Sequence, residues 1–176
     1  KNECGRKFRQ KAIFNGATYA INRAFFPIDT ASIPDTATLL TASHKSYRDD
    51  SVTTFGNADT TSLHIVTQTQ ASNTAIATAD FDQVSFTSKG SITLASTSNN
   101  AYTSDISITD LTIISLVGHT KIAYLIGRDQ ADSAPTGDNT IAFQGVGGAN
   151  PPTLTVTYSL GGGAVGYKSL LGVGQA

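Results

Sequence analysis

Three carboxylates, Asp129, Asp132 and Asp138, crowd one short segment, 129–139 (DQADSAPTGDN). Oxygen ligands gathered in a loop are what calcium needs, and it takes about six to eight of them. Their spacing matches no EF-hand loop, and Asp, Asn and Gly also populate turns for backbone reasons, so turn chemistry competes with a cation site. A second loop, 57–61, follows Gly56 and carries Asp59. Tyr47, Phe55, Tyr102 and Tyr124 are the rings on which a sugar face could stack, in a chain with no Trp. His44, His64 and His119 stand at unrelated positions in stretches of strand or helix-end character, which favours structural roles over ligation. The carboxylate pairs Asp49 with Asp50 and Asp80 with Asp82 have the residue types of a glycosidase acid and base; on a strand Asp80 and Asp82 would share one face, but their turn-rich flanks place that pair in a solvated loop. Cys4 is the single cysteine, so it forms no intrachain disulfide and no metal pair. It is an inert thiol or a link between two chains. No G-x-S-x-G elbow, P-loop or H-E-x-x-H is present, which removes the usual supports of nucleophilic and zinc hydrolysis. No N-x-Ser/Thr sequon occurs either, which leans away from a glycosylated ectodomain.

The elements that would position these residues are strands. Apolar residues recur mostly with period two in short runs rich in Thr, Val, Ile and aromatics, bounded by Gly, Asn, Asp and Pro. In 153–158, Leu154, Val156 and Tyr158 alternate with Thr153, Thr155 and Thr157, the pattern of a half-buried antiparallel strand. Similar runs cover 12–14, 19–28, 38–47, 62–70, 83–86, 91–95, 121–128 and 140–144. Eight or nine such strands predict an all-β fold, an antiparallel β-sandwich of jelly-roll type. One short helix is expected near 110–118, capped by Thr109 or Asp110 and stopped by Gly118, although Ile113, Ile114 and Val117 also suit a strand.

The chain of 176 residues is 39% hydrophobic and fits one domain. Its charged share, 14%, is below the ~25% usual for soluble domains, while Ser and Thr supply about a quarter of the residues. No apolar run approaches the ~20 residues of a membrane helix. The net charge of −1 is uneven: six basic residues face only Glu3 in the first 23, giving +5 there and −6 over the remainder. The expected organisation is a basic N-terminal arm over 1–18, a sandwich over 19–160 and a Gly-rich tail over 161–176. A basic arm can bind phosphates or seat against a neighbouring copy. With Phe8 as its one interleaved aromatic, the arm lacks a base-stacking platform, so nucleic acid is the less favoured partner. In the tail, Tyr167, Leu170, Leu171 and Val173 are too apolar for a linker and suit an added edge strand. A chain that opens on Lys1 and contains no Met reads as a processed product or a segment of something longer.

Two stretches carry a family likeness. In 22–47 (NRAFFPIDTASIPDTATLLTASHKSY) a strand ending in an Asp-Thr pair leads through a Ser-Ile-Pro turn into a second strand, and 149–158 (ANPPTLTVTY) has the look of a closing strand. Pro34 and the Pro151–Pro152 pair enforce extended or turn backbone at those places. Both stretches resemble jelly-roll domains of the DNRLRE type, related in shape to carbohydrate-binding modules and found in bacterial surface proteins and phage structural proteins. The segments 105–108 and 121–132 fall where that group places later strands, so the likeness spans 20–158. It departs at the front, where a basic segment replaces the usual first strands. The resemblance and the missing catalytic sets together lead to an expected non-enzymatic structural subunit of a phage or virion (capsid decoration, head or tail) or of an extracellular fibre. Its partners would be its own copies or other subunits, met through Lys1, Arg6, Lys7, Arg9, Lys11, Tyr167, Leu170 and Leu171. The alternative is a carbohydrate-binding module of a cell-surface or secreted protein. No cofactor is implied, calcium excepted.

Overall fold

The computed structural model describes residues 7–14, 19–55, 62–94, 98–134, 139–161 and 165–171. Thirteen strands lie within them: β1 (Lys7–Phe14), β2 (Tyr19–Asn22), β3 (Ala24–Asp29), β4 (Thr38–Lys45), β5 (Tyr47–Phe55), β6 (Ser62–Thr67), β7 (Gly90–Thr93), β8 (Ala101–Tyr102), β9 (Ile106–Ser107), β10 (His119–Ile126), β11 (Asn139–Gln144), β12 (Thr153–Ser159) and β13 (Val165–Leu171). They pair antiparallel in three sheets ordered β2-β1-β11-β5-β8, β3-β10-β6-β7 and β13-β12-β4-β9. The protein is an all-β sandwich. The basic segment is not an arm over 7–14, because β1 is paired on both sides, by β11 and β2.

One core joins the layers. Phe26, Ile28, Leu63, Ile65, Ile122 and Tyr124 of the second sheet pack on Ile141 and Phe143 of the first and on Ala42, Ile106, Leu154, Val156 and Tyr158 of the third. At its centre Tyr124 meets Phe26, His44 and Phe143 edge-on, with ring centroids 4.8, 5.3 and 5.7 Å away. The alternation of 153–158 holds, with Leu154, Val156 and Tyr158 buried. On β10 both faces are covered: Ile122 and Tyr124 enter this core, while Ala123 and Leu125 join Phe25, Val66 and Val84 on the opposite face. A strand buried on both faces reads as a continuous apolar run.

That opposite face is roofed by the segment 68–88. Within the segment, Gln68 donates to Gln70 Oε1, and Gln70 donates to the Ser72 and Ala75 carbonyls. Asp80, expected in a solvated loop, is buried in a 3-10 turn (Thr78–Asp82) and accepts the Ala77 N–H at 2.7 Å. The run 83–86 supplies only a bridge from Val84 to Gln68.

The layers are joined along the chain itself. Arg23 alone separates β2 in the first sheet from β3 in the second, and Ser46 alone separates β4 in the third from β5 in the first. Across another seam β7 meets β9 so closely that a Cβ at Gly90 would collide with the Ser107 carbonyl oxygen, so only glycine fits there. Lys89 pairs with Asp110 at 2.7 Å beside that contact. Hydrogen bonds from Lys89 and Thr112 hold the Asp110 carboxyl down at about 2.

The helix expected near 110–118 is one 3-10 turn, Leu111–Ile113. Asp110 does cap it, accepting from the Thr112 N–H at 3.1 Å, but Ile114 is already extended and buried in the core. β-Branched residues next to a sheet favoured packing over helical continuation. The α-helix that does form is a single turn, α1 (Gly127–Gln130), which ends the run expected as strand over 121–128.

Candidate functional site

β13 is the last strand of its sheet, and among the described residues nothing pairs with its outer edge. Its side chains alternate. Gly166, Lys168 and Leu170 are half-buried, while Val165, Tyr167 and Leu171 stand 69%, 65% and 58% exposed. Gly166 is required because a Cβ there would enter the ring of Tyr158 beneath it. Opposite Val165, Tyr167, Ser169 and Leu171 on β12 lie Ser159, Thr157, Thr155 and Thr153, and beyond Thr157, Thr155 and Thr153 on β4 lie Thr41, Ser43 and Lys45. The outer face is therefore a hydroxyl-lined surface with an apolar rim on an open edge. Its one charge in these rows is Lys45. Open edges with exposed apolar side chains are the ones that recruit another strand, although β13 also carries Lys168 on its inner side, a charge that opposes such pairing.

Of the residues expected to mediate assembly, Tyr167 and Leu171 are on this rim, whereas Leu170 points the other way and packs against the core. Val165 was not singled out in the sequence, though its spacing to Tyr167 places it on the same face. Lys1 and Arg6 lie outside the described residues, as do the side chains of Lys7, Arg9 and Lys11, whose backbone belongs to β1. Gly161, Gly163 and Gly166 have the G-x-G-x-x-G spacing, but that fingerprint needs a helix to follow, and β13 stands there instead.

The expected sugar-stacking rings are dispersed. Tyr124 is fully buried in the core and offers no platform. Its hydroxyl lies 2.6 Å from His44 Nδ1 and 3.1 Å from Ser46 Oγ. The Phe55 side chain lies outside the described residues. Tyr47 and Tyr102 do meet, directly opposite each other on β5 and β8, with centroids 5.3 Å apart and edge to face. Both hydroxyls are engaged, Tyr47 donating to the Asn100 carbonyl and Tyr102 to the Pro151 carbonyl, and Lys45 Nζ lies 5.1 Å from the Tyr102 ring centroid.

The three carboxylates proposed for calcium are not brought together among the described residues. Asp129 is buried and accepts two bonds from Arg23, Nε at 2.9 Å and Nη2 at 2.7 Å, so an internal cation takes both its oxygens. Asp132 is exposed at positive φ, and Asp138 lies outside the described residues. Arg23 also donates to the Phe81 carbonyl and stacks on the Phe81 and Phe86 rings, 4.1 and 5.3 Å from their centroids. The corner residue thus ties α1 to the roof of the second sheet.

No protein-family model matches the chain, and no curated protein or solved structure is found similar to it.

Proposed function

We propose that the protein is a non-enzymatic structural subunit that assembles with copies of itself or with other subunits of a larger body, a phage or virion component or an extracellular fibre. The observation that carries this reading is the open β13 edge with Val165, Tyr167 and Leu171 exposed in a row. A monomer gains nothing from three large apolar side chains in water on an unpaired strand, whereas a partner strand would satisfy the edge and cover them. A jelly-roll connection of the DNRLRE type belongs to the same proposal, and so does a location in a virion or at a cell surface. Size-exclusion chromatography with light scattering at micromolar concentration tests it. The expected outcome is a defined oligomer that Tyr167→Lys with Leu171→Lys converts to a folded monomer; a monomeric wild type refutes it.

A second reading, carbohydrate binding, is favoured by the surface pair Tyr47 and Tyr102. A glycan array decides it. Binding that Tyr102→Ala abolishes supports the reading, and silence at millimolar sugar removes it.

A further inference from the structure

On the outer face of the second sheet, His64 stands between two serines. Its Nε2 lies 2.9 Å from Ser62 Oγ and its Nδ1 lies 3.0 Å from Ser88 Oγ. Ser62 and His64 are two residues apart on β6 and so share a face, while Ser88 arrives from the end of the roofing segment. The bond directions follow from a count of hydrogens. Ser88 donates its one hydroxyl hydrogen to the Gly90 carbonyl at 3.2 Å. A carbonyl oxygen only accepts, so Ser88 Oγ is left to accept from His64 Nδ1–H. An imidazole protonated at Nδ1 carries its lone pair on Nε2, and the Ser62 hydroxyl donates there. The result is a directed relay: Ser62 O–H to His64, His64 N–H to Ser88, Ser88 O–H to a backbone carbonyl. Burial lowers the His64 pKa below its ordinary value, which favours the neutral ring with a free lone pair. All three residues are half-buried rather than sealed.

We propose that Ser62 is a base-activated nucleophile that accepts an acyl group from small carboxylic esters, with His64 as its general base and Ser88 as a positioning residue. A nucleophile, a base within hydrogen-bond reach and a third group fixing the base are the arrangement such reactivity requires. Ser62 Oγ bonds to the ester carbonyl carbon as its proton passes to His64 Nε2. The tetrahedral adduct then breaks its bond to the alcohol oxygen, which leaves with the proton returned from Nε2. The products are acyl-Ser62 and one alcohol, with no oxidant, reductant or cofactor consumed. This is a single transfer onto the protein, and it goes beyond the assembly role without depending on it.

The test incubates the full chain with p-nitrophenyl acetate at neutral pH, follows nitrophenolate release and maps acetylation by peptide mass spectrometry. One acetyl group per chain is expected on the peptide carrying Ser62, and Ser62→Ala abolishes it. His64→Gln should slow the reaction by about 100-fold, the lower end of what a positioned base supplies. Ser88→Ala should slow it by about fivefold, the worth of one neutral hydrogen bond, and Ser88→Thr, which keeps the hydroxyl, should restore it. Circular dichroism establishes that each variant is folded, and the wild-type adduct map needs no variant at all. Acetyl groups confined to lysines, or a folded His64→Gln that reacts at the wild-type rate, overturn the proposal.

Discussion

His44 shows what burial does to a titratable ring. It is enclosed with Phe26 and Tyr124, its Nε2 has no hydrogen-bond partner among the described residues, and loss of solvent lowers its pKa to about 3. In the unfolded chain a histidine titrates near 6.5. Between those two values the unfolded state binds more protons, so stability is full above about pH 6.5 and falls as the pH drops toward 3. The slope approaches about 1.4 kcal/mol per pH unit, or roughly 2 kcal/mol lost by pH 5. Urea unfolding at pH 7 and pH 5 should show that loss, and His44→Gln should flatten it. The structural role of His44 was legible in the sequence because it sits in an alternating run. The burial of Tyr124 was not, since on β10 both faces are covered and alternation no longer distinguishes inside from outside.

At the scale of elements, the Arg23 corner decides how the roof stays on. Replacing Arg23 by Met would leave the buried Asp129 carboxylate without its cation, which typically costs about 3–5 kcal/mol. A lower urea midpoint and faster hydrogen exchange over 76–88 are the expected readouts. Arg23→Lys should recover only part of the loss, because an ammonium cannot form the bidentate pair. The sequence could not reveal this arrangement: 106 positions separate Arg23 from Asp129, and with the partner unseen the acidic loop reads as a cation site. β5 is hidden in the sequence for a related reason. Directly after Tyr47 it carries Arg48, Asp49 and Asp50, and a charged run argues against a strand until the burial of Arg48 and Asp49 is known. Strands with apolar and hydroxyl residues in strict alternation, β12 above all, were readable outright. The 19–28 run was also readable as strand, but not its division at Arg23, because a single-residue corner leaves no turn signal.

For the whole molecule, the proposed assembly has two candidate contacts, and salt separates them. Attraction through the basic N-terminal segment is screened, with a Debye length of about 10 Å at 0.1 M and about 3 Å at 1 M salt. Burial of Val165, Tyr167 and Leu171 is not weakened by screening. If β13 is the contact, the oligomer seen by light scattering persists from 0.1 to about 1 M NaCl. Dissociation at high salt would transfer the role to the basic residues. The one-residue corners at Arg23 and Ser46 have a mechanical consequence for any such assembly. A tug on β13 passes through β12 to β4 and then by covalent backbone into the neighbouring layer. The third and first sheets are tied by the backbone itself at Ser46, so load on the edge strand is shared with a second layer rather than carried by side-chain packing alone.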